Sequence, residues 1–266
     1  MIVYHGKERQ FMKITKAAGL ITASVIAFSS LSSITAGAVT FTEDEKGVKT
    51  WTFKVNDKYP EGVTVDDKKD AYFSSGCTYY ASNGYTTDKP EDLNNYLTLT
   101  VKNDEKTIES NKYSTIFLNH AKNITSSELT YTAPADGTVS LTAGNNGDVY
   151  LKVNGDTKGT ANTDYTETVT APVEQGDTIT ISAASWAGAK QVIFTPDQYT
   201  ALYEFTQKAS EMNGKTLVVT TSDDTKKSTT INTSDGTYFT GDGDVELGII
   251  INNIPNNVTI ESVVIE

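Results

Sequence analysis

The chain has 266 residues, of which 34 are acidic and 22 are Lys or Arg, giving a formal net charge of −12, and it holds one cysteine. That length allows one or two domains with a sizeable core. The acidic balance repels nucleic acid and anionic lipid, so neither is an expected partner, and Cys77, alone, cannot close an intramolecular disulfide.

Met12 to Ala38 has the pattern of a secretory signal peptide. Lys13 and Lys16 precede an apolar run from Ala17 to Phe28, and Ala36-Gly37-Ala38 offers a small-residue cleavage site. The run is too short to span a bilayer, so cleavage with no remaining membrane partner is the expectation. Residues 1–11 are expected to be untranslated leader, because Gly6-Lys7-Glu8-Arg9-Gln10-Phe11 can be encoded around a bacterial ribosome-binding sequence directly before Met12. Losing the signal region 1–38 removes four basic residues and one acid, and takes the formal charge to about −15. The expected mature chain is thus a secreted, extracellular bacterial protein whose basic residues are all lysines. With Arg9 gone, no guanidinium remains to clamp phosphate or carboxylate.

Alternation dominates from Val48 onward. Trp51, Phe53 and Val55 share one parity, as do Leu97, Leu99 and Val101; Leu129, Tyr131 and Ala133; Val139, Leu141 and Ala143; and Val149, Leu151 and Val153. Ile179, Ile181 and Ala183 continue the series, with Thr, Ser, Lys and Tyr on the other parity. A period of two marks strands buried on one face. Turn residues separate them at Pro134-Ala135-Asp136-Gly137, Asn145-Asn146-Gly147-Asp148, Asn154-Gly155-Asp156 and Gln175-Gly176-Asp177. The expectation is an all-β protein: an antiparallel jelly-roll β-sandwich over 39–197, then a smaller antiparallel β-domain over 198–266. The boundary falls at Pro196-Asp197. A single large domain completed by the last strands is the alternative. In the smaller domain, Ser210–Asn213 suggests a short helical turn, and Gly248-Ile249-Ile250-Ile251 a strand covered on both faces. A short echo links the Ala133-Pro134 and Ala171-Pro172 segments, each a strand–loop–strand unit.

These residues also carry a resemblance. A strand ending in Ala133-Pro134, then Ala135-Asp136-Gly137-Thr138-Val139-Ser140-Leu141, then Val149-Tyr150-Leu151-Lys152-Val153-Asn154-Gly155, resembles carbohydrate-binding modules of the galactose-binding-like jelly-roll class. Gly176–Ile181 and Gln191–Thr195 continue the likeness, which covers about 127–196. Such modules accompany secreted polysaccharide-degrading enzymes, and they hold ligands in loops at one end of the sandwich. The resemblance implies a secreted, non-catalytic carbohydrate-binding protein whose partner is a polysaccharide or a cell-surface glycan. The loop that matches the family's last connection holds Trp186, whose indole offers an apolar face to a pyranose ring. Trp51, on the parity of Phe53, is expected in the core.

A second group of candidates lies in the tyrosine-rich stretch 72–96. Tyr79 and Tyr80 are adjacent on a strand, so one faces inward and the other outward, and Tyr85, in Ser82-Asn83-Gly84-Tyr85, is expected at a loop tip. Tyr79, Tyr80 and Tyr85 are therefore ligand-binding candidates beside Trp186. Cys77 is expected to be a small buried hydrophobe and His120 a structural or solvated residue at a strand end.

No organic cofactor is expected. A structural Ca²⁺ is weighed because Asp66-Asp67, Asp136, Asp148 and Asp242-Gly243-Asp244 supply hard oxygen ligands, but their Asn-Gly-Asp contexts are turn chemistry and no EF-hand loop is complete. Catalysis by a glycosidase or lyase would need a carboxylate pair, and no pair is marked out by the sequence. The alternative to glycan binding is a structural or adhesive extracellular β-domain protein without a small-molecule site.

Overall fold

A computed structural model describes residues 21–22, 24–25, 39–55, 58–102, 107–120, 125–144, 147–161, 167–184, 186–236, 239–240 and 246–266. The chain divides into two compact units, Ser29–Gln198 and Tyr199–Glu266 with Met1–Phe28. Both are built from β-strands, and every strand pair whose register is described is antiparallel. The protein is all-β.

The larger unit is a sandwich of a nine-stranded and a seven-stranded sheet. Both contribute to one buried cluster, with Trp51, Phe53, Val139, Leu141 and Phe194 from the first and Leu97, Leu99, Leu129, Leu151 and Ile181 from the second. The alternation in sequence has a direct physical outcome: Lys49–Phe53 and Gly137–Ala143 bury every second side chain against the opposite sheet.

Strand Ala187–Pro196 organises the nine-stranded sheet. One edge pairs along its length with Gly137–Ala143. The other edge is divided: Ala187–Ala189 pair with Thr115–Asn119, and Gln191–Phe194 with Lys49–Phe53. The two echoing segments each cross between sheets, from Glu128–Thr132 to Gly137–Ala143 and from Thr168–Val173 to Thr178–Ala183. Their loops bind each other, with Ala133 donating to the Asp177 carbonyl, Gly176 to the Ala133 carbonyl and the Gln175 N–H to Asp136 Oδ1.

Two strands depart from one-face burial. Thr107–Ser110 and Thr115–Asn119 are buried at every position, so the outward parity of this region of the sheet, Ile108 and Phe117, is also covered.

The smaller unit has its own core of Tyr203, Phe205, Met212, Leu217, Leu247, Ile249 and Ile265, between two four-stranded sheets. The helical turn lies at Ala209–Met212. In strand Glu246–Pro255, Leu247, Gly248 and Ile249 are buried while Ile250 and Ile251 are half-buried, so double coverage is confined to the beginning of the strand. The two-residue strands Ile21–Thr22 and Ser24–Val25 pair with Ile260–Ile265 and Gln198–Lys208. They fall inside the apolar run assigned to the signal peptide; the rest of 1–38 lies outside the described residues.

Candidate functional site

An aromatic strip follows the outward side of strand Thr115–Asn119. Ile116 and Leu118 take the core-facing parity, which sends Phe117 to the other face. Tyr113, in the turn before this strand, meets Phe117 edge-on with ring centroids 6.0 Å apart. Phe117 in turn meets His120 edge-on at 5.7 Å, and His120 meets Trp186 at 4.0 Å with the planes tilted by 50°. Lys112 completes the far end, with Nζ 4.7 Å from the Tyr113 ring centre. The register explains the last step. Asn119 pairs with Ala187 in an antiparallel ladder, so the next residue outward on each strand, His120 and Trp186, come face to face.

Trp186 is the exposed end of this strip. It is 48 % exposed, one of two large hydrophobic residues so placed among the described residues, the other being Val65. Its backbone lies at φ +58°, a region costly for a bulky residue. An aromatic ring held outward on a strained backbone, with a second ring beneath it, gives a flat apolar surface beside an imidazole able to hydrogen-bond.

The tyrosine candidates are placed differently. Tyr79 is 0 % exposed; its hydroxyl donates to the Gly62 carbonyl at 3.2 Å and receives the Ser74 N–H at 3.3 Å. It points inward because Tyr79 and Ala81 hold the core-facing parity of Thr78–Ser82. Tyr85 also turns inward, against Phe73 at 4.8 Å, and its hydroxyl reaches Glu109 Oε1 at 3.4 Å. Tyr79 is thus enclosed in the core, while Tyr85 packs against the core and is half-buried. Tyr80 faces outward and is half-buried, opposite Thr98 and Thr86, on the other sheet from Trp186.

Glu109 gave no signal in the sequence. It occupies the core-facing parity of its strand, opposite Ile116 and Ala71, and is fully buried. Tyr59 donates to its Oε2 at 2.9 Å. Burial pushes its carboxyl well above the ordinary range, against the opposing pull of the Tyr59, Tyr85 and Lys54 backbone hydrogen bonds. Burial, and then the neighbouring Glu109, likewise raise the Tyr85 hydroxyl.

The acids weighed for calcium are engaged in turns. Asp66 accepts the Lys68 and Asp70 N–H groups and the Tyr72 hydroxyl, and these bonds, led by that from Asp70, hold its carboxyl below the usual value. Asp136 accepts the Gln175 N–H, and Asp148 the Tyr150 hydroxyl at 3.5 Å. Asp242-Gly243-Asp244 lies outside the described residues. Among the described residues, no three of His, Cys, Asp and Glu converge as a metal site.

No protein-family model matches the chain, and no curated protein matches it. A solved structure that it resembles is a GH2 β-galacturonidase from Eisenbergiella tayi bound to glycerol, at 8 % identity and a TM-score of 0.24. The overlay covers 77 % of this chain and 43 % of that one, so this chain spans less than half of the neighbour. A superposition this loose transfers neither an activity nor a site.

Proposed function

We propose that the chain is a secreted, non-catalytic protein that holds polysaccharide or a cell-surface glycan at Trp186. The observation that carries this reading is the exposed indole at φ +58°, backed by His120. A pyranose lays its C–H face on such a ring, and the neighbouring imidazole reads a hydroxyl. Extended backbone at this position would relieve the strain, so the ring's display has a cost that a binding role accounts for. Tyr80, on the other sheet, is a separate candidate contact.

Secretion rests on the signal-like pattern of Met12 to Ala38. Its removal would take away the two short strands that pair with Ile260–Ile265 and Gln198–Lys208.

The test is a glycan-array or affinity-gel screen of the protein beside Trp186→Ala and His120→Ala. Binding that disappears in Trp186→Ala and weakens in His120→Ala is the expected result. Binding indifferent to both would move the site elsewhere, with Tyr80 next in line. Failure to retain any plant or host glycan would leave the structural or adhesive reading in its place.

A further inference from the structure

Lys49 is a lysine where a hydrophobe is expected. It shares the core-facing parity of Trp51 and Phe53, and it is 8 % exposed. Glu43 stands directly opposite it in the Val39–Glu43 ladder, with Oε1 2.8 Å from Lys49 Nζ. The same Nζ lies 2.7 Å from Asn95 Oδ1. Asn95 comes from the other sheet, two residues ahead of strand Leu97–Thr100.

Aromatic side chains fix this meeting. Trp51 Nε1 donates to the Asn95 carbonyl at 3.3 Å, and the Tyr131 hydroxyl donates to the Asn94 carbonyl at 2.9 Å. The Trp51 ring lies 5.3 Å from Phe41 and 5.0 Å from Tyr131, and the Phe41 ring centre is 5.9 Å from Nζ. Amine, carboxamide and carboxylate are therefore held together in an aromatic-walled corner, with Lys49 buried and Glu43 and Asn95 half-buried.

We propose that Lys49 and Asn95 are joined by an intramolecular isopeptide bond, formed with Glu43 as the proton carrier. Glu43 takes a proton from the Lys49 ammonium, freeing the lone pair of Nζ. Nζ attacks Cγ of Asn95, which turns its carbonyl carbon toward the amine by rotating the amide. The Nζ–Cγ bond forms and the Cγ–Nδ2 bond breaks. The leaving nitrogen takes one proton from Nζ and one from Glu43, and departs as ammonium. Glu43 returns to the carboxylate, and no oxidant, reductant or further reactant is consumed. Fixed proximity lowers the entropic barrier, and the carboxylate supplies the proton transfers that an amide in water lacks.

The product bond ties the nine-stranded sheet to the seven-stranded one. It does in this chain what a disulfide does elsewhere, closing a loop of the unfolded state, and Cys77 has no partner cysteine with which to do so. The proposal is independent of glycan binding.

Mass spectrometry of a proteolytic digest of the purified full chain tests it. The expected result is a fragment carrying Lys49 joined to a fragment carrying Asn95, lighter than their sum by one ammonia. Asn95→Ala is expected to abolish the joined species. Glu43→Gln, which retains a hydrogen-bond acceptor beside Nζ and so keeps the fold, is expected to abolish it as well. Separate, unshifted fragments from the unaltered protein would overturn the proposal and leave an ion pair with an amide beside it. A joined species that persists in Glu43→Gln would overturn the role of Glu43.

Discussion

The Tyr59 hydroxyl donates to Glu109, Oη to Oε2 at 2.9 Å, and Tyr85 approaches the other carboxyl oxygen at 3.4 Å. The acid is buried where its ionised form has little solvation, and its carboxyl is held well above the ordinary 4.5. The folded protein therefore keeps a proton that the unfolded chain releases. Stability contributed by the protonated acid is present at low pH and declines as pH rises from the ordinary carboxyl value toward the raised one. The decline is at most about 1.4 kcal/mol per pH unit for one proton. Glu109→Gln, which cannot ionise, is expected to match the parent near pH 4 and to exceed it in stability at pH 7. Urea unfolding across that range measures the gap; a difference that does not change with pH would show that Glu109 binds no extra proton on folding.

Trp186→Gly separates display from packing. Glycine accepts φ +58° without the side-chain clash that costs a non-glycine residue about 1–2 kcal/mol in the left-handed region. The variant is expected to keep or slightly raise its thermal midpoint while losing glycan retention. A large fall in the midpoint would instead make the indole a structural plug on His120.

Trp51 should behave in the opposite way. It is fully buried between Phe41 and Tyr131, with its N–H satisfied by the Asn95 carbonyl. Trp51→Ala is expected to cost about 3–5 kcal/mol in chemical denaturation, the range for deleting a large core aromatic. A cost within experimental error would mean that this corner is loosely packed, and would weaken the case for the Lys49 chemistry beside it.

Gly188 marks where strand Ala187–Pro196 comes closest to Thr115–Asn119. A Cβ added there would overlap the Ile116 carbonyl oxygen, a backbone atom that cannot rotate aside. Gly188→Ala is expected to destabilise the larger unit by about 1–3 kcal/mol or more. It should also shift Trp186 relative to His120, since both residues flank the ladder it disturbs. Loss of tryptophan fluorescence change on glycan addition, in protein that remains folded, would register that displacement.

Much of the fold was legible because alternation reports burial directly. Trp51, Leu99, Leu141 and Leu151 follow the parity of their strands into the core. Tyr79 and Tyr80 split to opposite faces for the same reason. The adjacency of His120 and Trp186 was not legible, since it depends on the register between distant strands, which no local pattern fixes. Thr107–Ser110 hid its burial, because a strand covered on both faces with Thr, Glu and Ser in it looks like a solvated one. Lys49 did leave a mark, a charged residue on the inward parity of Trp51 and Phe53, and that mark becomes specific only once Asn95 is seen to meet it.

The pairing of Lys49 with Phe194 has a mechanical consequence. Phe194 stands just before the chain leaves the sandwich at Pro196, and Lys49 is the first residue of its own strand. Once Val39–Glu43 is detached, tension applied through Asp44 and at Gln198 would pull on Lys49 and Phe194 from the same end. Antiparallel strands loaded in that way lose their hydrogen bonds in succession, like a zipper, instead of resisting together. With Lys49 bonded to Asn95, the load passes at that point into the opposite sheet, and the zipper stops at its first tooth.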